Sequence, residues 1–100
     1  MNNLEEMKNN AKKVWSGFAP LENLTGTAAP RLIKFANISK NQKILDVACG
    51  TGVVALTAAR TGANVFGSDL TPELLERAEE NNKLFKLNVK FTEADVEKLP

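Results

Sequence analysis

Along the first third of the chain, apolar residues recur at helical spacing. Leu4, Met7, Ala11, Val14, Trp15 and Phe18 form one stripe, with Lys8, Lys12 and Lys13 on the other side. The spacing predicts a helix over about residues 3–16, ended by Gly17 and Pro20. Trp15 and Phe18 are expected in core packing, with a lid over a ligand as the alternative. Residues 19–28 read as a loop. Ala29, Leu32, Ile33 and Ala36 then mark a second short helix, with Pro30 near its start, and residues 37–42 form a polar connection.

The period changes at Lys43. Ile44, Leu45 and Val47 make a short strand that runs into Ala48-Cys49-Gly50-Thr51-Gly52. A helix over about 51–61 follows, and Gly62 suits its C-terminal stop. Residues 64–69 form a second strand. Thr71 is placed to cap the next helix, with Pro72 at its first position and Glu73 favourable for the helix dipole. Leu74, Ala78 and Phe85 supply the buried face of that helix. Residues 88–92, alternating Val89 and Phe91 with polar residues, form a third strand. Strand, helix, strand, helix, strand makes two βαβ units. Right-handed crossovers predict a Rossmann-like α/β fold: a parallel sheet in the order 3-2-1 with helices on both faces and an N-terminal helical extension. The expected division is a helical segment over 1–40 and a ligand-binding domain over 41–100.

Bulk properties narrow the class. One hundred residues suffice for one small domain, and 43% hydrophobic with 25% charged residues is ordinary for a globular chain. The net charge is +1 with acidic and basic residues interleaved, so no nucleic-acid partner is expected. No apolar run reaches the ~20 residues of a membrane span, and the N-terminus lacks a signal-peptide pattern. The single Cys49 cannot form an internal disulfide, which makes a cytoplasmic location the default. The absence of histidine removes imidazole acid–base chemistry and His-containing zinc sites, and no metal site is expected.

The chemistry concentrates at strand ends. A glycine-rich turn between strand and helix lets backbone approach a ligand, and the helix start adds unpaired N–H groups. Gly50-Thr51-Gly52-Val53-Val54-Ala55 fits the loose pattern G-x-G-x-x-A of dinucleotide sites, so an NAD-linked oxidoreductase is one reading and a ligand-free tight turn another. Asp46, just before the glycines, would repel a pyrophosphate but tolerate an ammonium or sulfonium. Asp69 lies 19 residues after Gly50 and can accept hydrogen bonds from ribose hydroxyls. Asp95 can accept from an exocyclic amine such as adenine N6, with the Val96 N–H placed to donate to a ring nitrogen.

These residues resemble a known family. Ile44 to Gly52 looks like the first motif of class I S-adenosyl-L-methionine-dependent methyltransferases, Gly67 to Leu75 looks like the acidic loop after strand 2, and Ala94 to Pro100 resembles the adenine-contacting segment. The nearest flavour is the ubiquinone/menaquinone biosynthesis type and its small-molecule relatives. The resemblance implies S-adenosyl-L-methionine as cofactor and methyl transfer to an oxygen, nitrogen, carbon or sulfur of a small-molecule acceptor. It implies that Asp46 orders the loop near the cofactor's amino-acid end, and that backbone at Ala48, Cys49 and Gly50 lines its methionine and ribose. It further implies that Asp69 binds the ribose, Leu70 packs on adenine, and Asp95 and Val96 read the adenine edge. Ala48 departs from the family, which usually has glycine there; a methyl group is a small addition, so binding is expected to survive. Cys49 is expected to be a small buried loop residue, not a nucleophile, and no catalytic residue is identified.

The family's sheet has seven strands, and three are legible here. The chain is therefore expected to be a truncated form of that fold, the cofactor-binding half, inactive in methyl transfer on its own. The bare, apolar edge of strand 1 is expected to invite self-association. A non-catalytic, self-associating portion of a methyltransferase is the further alternative.

Overall fold

The computed structural model describes residues 3–17 and 26–99. Phe18, Pro20, residues 19–25 of the expected loop and Pro100 lie outside the described residues. The elements are α1 (Asn3–Trp15), α2 (Ala29–Phe35), β1 (Lys43–Val47), α3 (Val53–Ala59), β2 (Asn64–Asp69), α4 (Pro72–Leu84), β3 (Lys90–Glu93) and a 3₁₀ turn (Val96–Lys98). Among the described residues no helix is long and apolar enough to cross a membrane.

The three strands form one parallel sheet in the order β1-β2-β3. Asp46 pairs with Gly67 and Val47 with Ser68; Gly67 also pairs with Phe91 and Asp69 with Glu93. Period-2 alternation therefore puts Ile44, Asp46, Val65, Gly67 and Phe91 on one face, and Leu45, Val47, Phe66 and Ser68 on the other. The first face carries the core, where Val65 packs with Val89, with Ala55, Leu56 and Ala58 of α3, and with Ile33 of α2. On the second face Leu45 is 54% and Phe66 44% exposed. The expected helices on both faces are thus met on one. The reason is topological: two right-handed crossovers running the same way across a sheet deliver both helices to the same side.

Local chemistry sets the element ends. α3 starts at Val53, later than expected, because Ala48, Gly50 and Gly52 all have positive φ and hold the turn out of helix. Gly52, at φ +84°, is its N-cap. β3 starts at Lys90, because the Asn82 amide takes both backbone groups of Val89: Asn82 Nδ2 donates to the Val89 carbonyl at 2.9 Å and Val89 N donates to Asn82 Oδ1 at 3.3 Å. Thr71 is the N-cap of α4 but its side chain makes no capping bond. Its N–H donates instead to Asp69 Oδ1 at 2.9 Å, an Asx-type turn. Phe85 is half exposed beneath the Arg60 guanidinium, 4.7 Å from its ring centroid, and not in the buried face of α4. Leu75 takes that place beside Leu74 and Ala78.

α1 departs most from expectation. It has no buried residue; Leu4, Met7, Val14 and Trp15 are each about half or more exposed. Its apolar stripe is not core packing.

Candidate functional site

A concavity of about 510 Å³ opens at the carboxyl ends of the strands, within the range of small-molecule sites. Its floor is the end of β1 and the glycine turn: Val47, Ala48 and Gly50. Asp69, Leu70, Thr71 and Leu74 form the wall after β2, and Ala94, Asp95, Val96 and Glu97 the wall after β3. Lys8, Ala11 and Trp15 of α1 complete it. Three strand ends meet here because all three strands are parallel, which is where open α/β sheets place their ligands.

Asp69 organises the centre. It is 9% exposed, and its Oδ2 accepts the Gly50 N–H at 2.8 Å while Oδ1 accepts from Thr71 N. Two carboxylate oxygens carry about four lone-pair sites, so each retains acceptor capacity toward the cavity. Gly50 sits at φ +57°, and a Cβ built there meets no atom within 4 Å. Its backbone therefore faces open space on the cavity side of the turn, room a ligand can use. Gly67 is the opposite case: a Cβ there would lie 2.6 Å from the Phe91 ring and 3.1 Å from Cys49 Sγ. Phe91 and Cys49 close down on β2 only because Gly67 has no side chain.

Of the residues singled out in the sequence, Ala48, Gly50, Asp69, Leu70, Asp95 and Val96 line the cavity, and Asp46 and Cys49 do not. Asp46 shares the helix-covered face with Ile44. Its carboxylate accepts the Ala55 N–H in the first turn of α3, and its Oδ2 is buried without a partner. Burial pushes its pKa up, the Ala55 N–H opposes that, and the charge of Asp69 adds to it. Asp46 thus orders the turn from behind. Cys49 is half-buried, and burial, with the charges of Asp46 and Asp69, pushes its thiol up to about 12. That is a protonated, unreactive thiol.

Asp95 is engaged from an unforeseen direction. Its Oδ2 ion-pairs with Lys8, and its Oδ1 accepts the Glu97 N–H at 2.9 Å. Lys8 also reaches Glu97 at 3.1 Å, and Lys12 reaches Glu93 at 3.2 Å. Lys8 lies on the same side of α1 as Ala11 and Trp15, at i, i+3 and i+7, and not opposite the apolar stripe. Among the described residues, the charged groups lining the cavity are Asp69, Asp95, Glu97 and Lys8. The site is net acidic.

Comparison with known proteins agrees with this geometry. An uncharacterised protein of Mycobacterium tuberculosis (strain H37Rv) is 42% identical over 79 residues, covering 79% of this chain and 29% of the relative. The crystal structure of the Pyrococcus abyssi tRNA (uracil-54, C5)-methyltransferase, in complex with S-adenosyl-L-homocysteine, superposes with a TM-score of 0.64 at 25% identity. The match covers 75% of this chain and 19% of that one. An S-adenosylmethionine-dependent methyltransferase from Clostridium acetobutylicum gives a TM-score of 0.58 at 26% identity over 70% of this chain and 28% of its own. The chain thus spans less than a third of the length of these relatives. The sequence profile of the methyltransferase domain matches residues 44–100, more than half of the chain, and the chain belongs to that family.

Proposed function

We propose that the cavity at the strand ends binds S-adenosyl-L-methionine, and that the chain is the cofactor-holding part of a methyltransferase. The observation that carries this is the charge of the site. Among the described residues, Asp69, Asp95 and Glu97 line it against a single Lys8, and Asp46 stands behind the glycine turn with its own charge penalised by Asp69. A pyrophosphate would be repelled from such a site; a ligand with an ammonium and a sulfonium would be attracted. This favours the adenosyl-sulfonium reading over the NAD reading, although both use the same glycine turn. The relative known in complex with S-adenosyl-L-homocysteine supports the same choice.

The roles follow from position. Asp69 accepts from the ribose hydroxyls with the lone pairs that Gly50 and Thr71 leave open. The open backbone of Ala48 and Gly50 runs along the methionine and ribose. Leu70 packs on the adenine, Asp95 accepts from its exocyclic amine, and the Val96 N–H meets a ring nitrogen. Asp46 and Cys49 act behind the turn without touching the ligand, Cys49 through the turn's shape and Asp46 through its shape and through the negative charge it can place behind the turn. When bound, the cofactor supplies an activated methyl group; these residues hold and align it. The resemblance to the ubiquinone/menaquinone biosynthesis type makes a small molecule the proposed acceptor.

Calorimetric titration with S-adenosyl-L-homocysteine and, separately, with NADH tests this reading. Saturable binding of the first and none of the second is expected. Preference for NADH would reverse the assignment.

The outer edge of β1 pairs with no strand among the described residues, and Leu45 and Phe66 lie exposed beside it. We propose that the 100-residue chain self-associates there. A strictly monomeric mass by light scattering across a concentration series would count against it.

A further inference from the structure

The helix α1 makes a wall of the cavity without contributing to the core. Its Lys8, Ala11 and Trp15 face the cavity, yet none of its residues is buried. A 13-residue helix is marginal in water unless something holds it. Among the described residues, Lys8 ion-pairs with Asp95 and Glu97 and Lys12 with Glu93, so both lysines reach the segment around the end of β3. Two of those three carboxylates also line the cavity.

We propose that α1 is a lid latched electrostatically to the segment after β3, with Lys8 and Lys12 as positioning residues that hold the lid closed over the bound ligand and aim the Asp95 carboxylate. This deepens, and rests on, the adenosyl-ligand reading of the same cavity. Lys8 fixes one oxygen of Asp95 while the Glu97 N–H fixes the other, so the carboxylate cannot rotate and its remaining lone pairs keep a set direction. The pairing holds the Lys8 ammonium above its ordinary value, first through Asp95 and then Glu97, and holds Asp95 below its own. Both groups are therefore charged at neutral pH. A latch of partly exposed ion pairs is weak and salt-sensitive, which suits a lid that must open to admit and release its ligand. Trp15 rides on the latched helix. It is the only tryptophan and the chain has no tyrosine, so intrinsic emission reports the lid directly.

The test is the Lys8→Gln/Lys12→Gln double variant beside wild type and a Lys13→Gln control. Titration with S-adenosyl-L-homocysteine is expected to show roughly fivefold weaker binding by the double variant at low salt. The difference should close at about 1 M NaCl, where the Debye length falls to ~3 Å. Ligand should shift Trp15 emission in wild type and less in the double variant. In ligand-free protein, hydrogen exchange over residues 3–15 should be faster in the double variant, and Lys13→Gln should match wild type throughout. Equal affinity and equal exchange in double variant and wild type would overturn the latch. If wild type binds no S-adenosyl-L-homocysteine, the cofactor reading fails, and hydrogen exchange alone then decides the latch.

Discussion

Asp69 Oδ2 accepts the Gly50 N–H at 2.8 Å, so the acid at the end of β2 anchors the glycine turn at the end of β1. A second bond, from Thr71 N to Oδ1, ties the same carboxylate to the start of α4. One side chain sets the relative positions of three segments that line the cavity, and also offers its spare lone pairs inward. The structural role and the proposed binding role are therefore superposed on Asp69, and a single substitution has to be chosen to separate them.

Asp69→Ala leaves two backbone donors without their charged acceptor. The expected cost is about 2–4 kcal/mol of stability. Asp69→Asn keeps one acceptor oxygen and the shape. It should fold with a smaller loss yet bind S-adenosyl-L-homocysteine at least tenfold more weakly, because a carboxylate accepting two ribose hydroxyls becomes an amide that can accept from one. Denaturant titration and calorimetry on the two variants check this. Equal affinity in Asp69→Asn and wild type would remove the ribose role.

How much of this was legible in the sequence depends on distance along the chain. The βαβ order and the turn were readable because period-2 strands, Gly50, Gly52 and Thr71-Pro72 carry local signals. Asp46 and Cys49 lie outside the cavity lining, and for Asp46 strand alternation holds the clue: it has the parity of Ile44, and Ile44 belongs to the helix-covered face. Phe85 continued the period of α4 but met Arg60 at the helix end instead of the core. The pairing of Lys8 with Asp95 spans 87 residues and left no local trace, since a lysine on an amphipathic helix looks the same whether it meets water or a carboxylate.

Ala48 occupies a left-handed conformation at φ +57°. The family's preference for glycine at this place is therefore explained by backbone torsion, not by room for a methyl group. An L-residue with a Cβ costs roughly 1–2 kcal/mol there. Ala48→Gly is expected to stabilise the chain by about 0.5–1 kcal/mol once the extra freedom of the unfolded glycine is counted. Ligand affinity should be held or improved. A lower denaturation midpoint in the glycine variant would show that the turn is not strained at Ala48.

Cys49 should be inert in the folded chain. With its thiol pushed up to about 12, the thiolate fraction at pH 8 is on the order of one in ten thousand. Iodoacetamide labelling followed by mass spectrometry should proceed at the rate of opening, and reach full speed only in denaturant. Fast labelling under native conditions would place Cys49 in a far more polar setting than its neighbours Gly67 and Phe91 provide.

Asp46 makes the sharpest prediction, because its stability and its proposed role oppose each other. Its folded pKa is raised above the ordinary 3.8, by burial first and by the charge of Asp69 as well, with the Ala55 N–H working against both. For a carboxyl raised in this way, the protonated form is the one the fold favours. Its contribution is fully present below the ordinary value and is lost as pH rises through the folded value. Above that folded value the ionised carboxylate weighs against folding, with Oδ2 buried and unpartnered. Asp46→Asn retains an oxygen for the Ala55 N–H and removes the charge. It should raise the thermal midpoint near pH 7 and leave it unchanged near pH 3, where Asp46 is already neutral. A buried charge kept at such a cost is expected where a cation is to be received. The same variant should therefore lose affinity for S-adenosyl-L-methionine while gaining stability. Thermal unfolding across the pH range, paired with calorimetry, measures both. A variant less stable than wild type at neutral pH would mean that the Ala55 bond to the ionised carboxylate outweighs the burial of its charge.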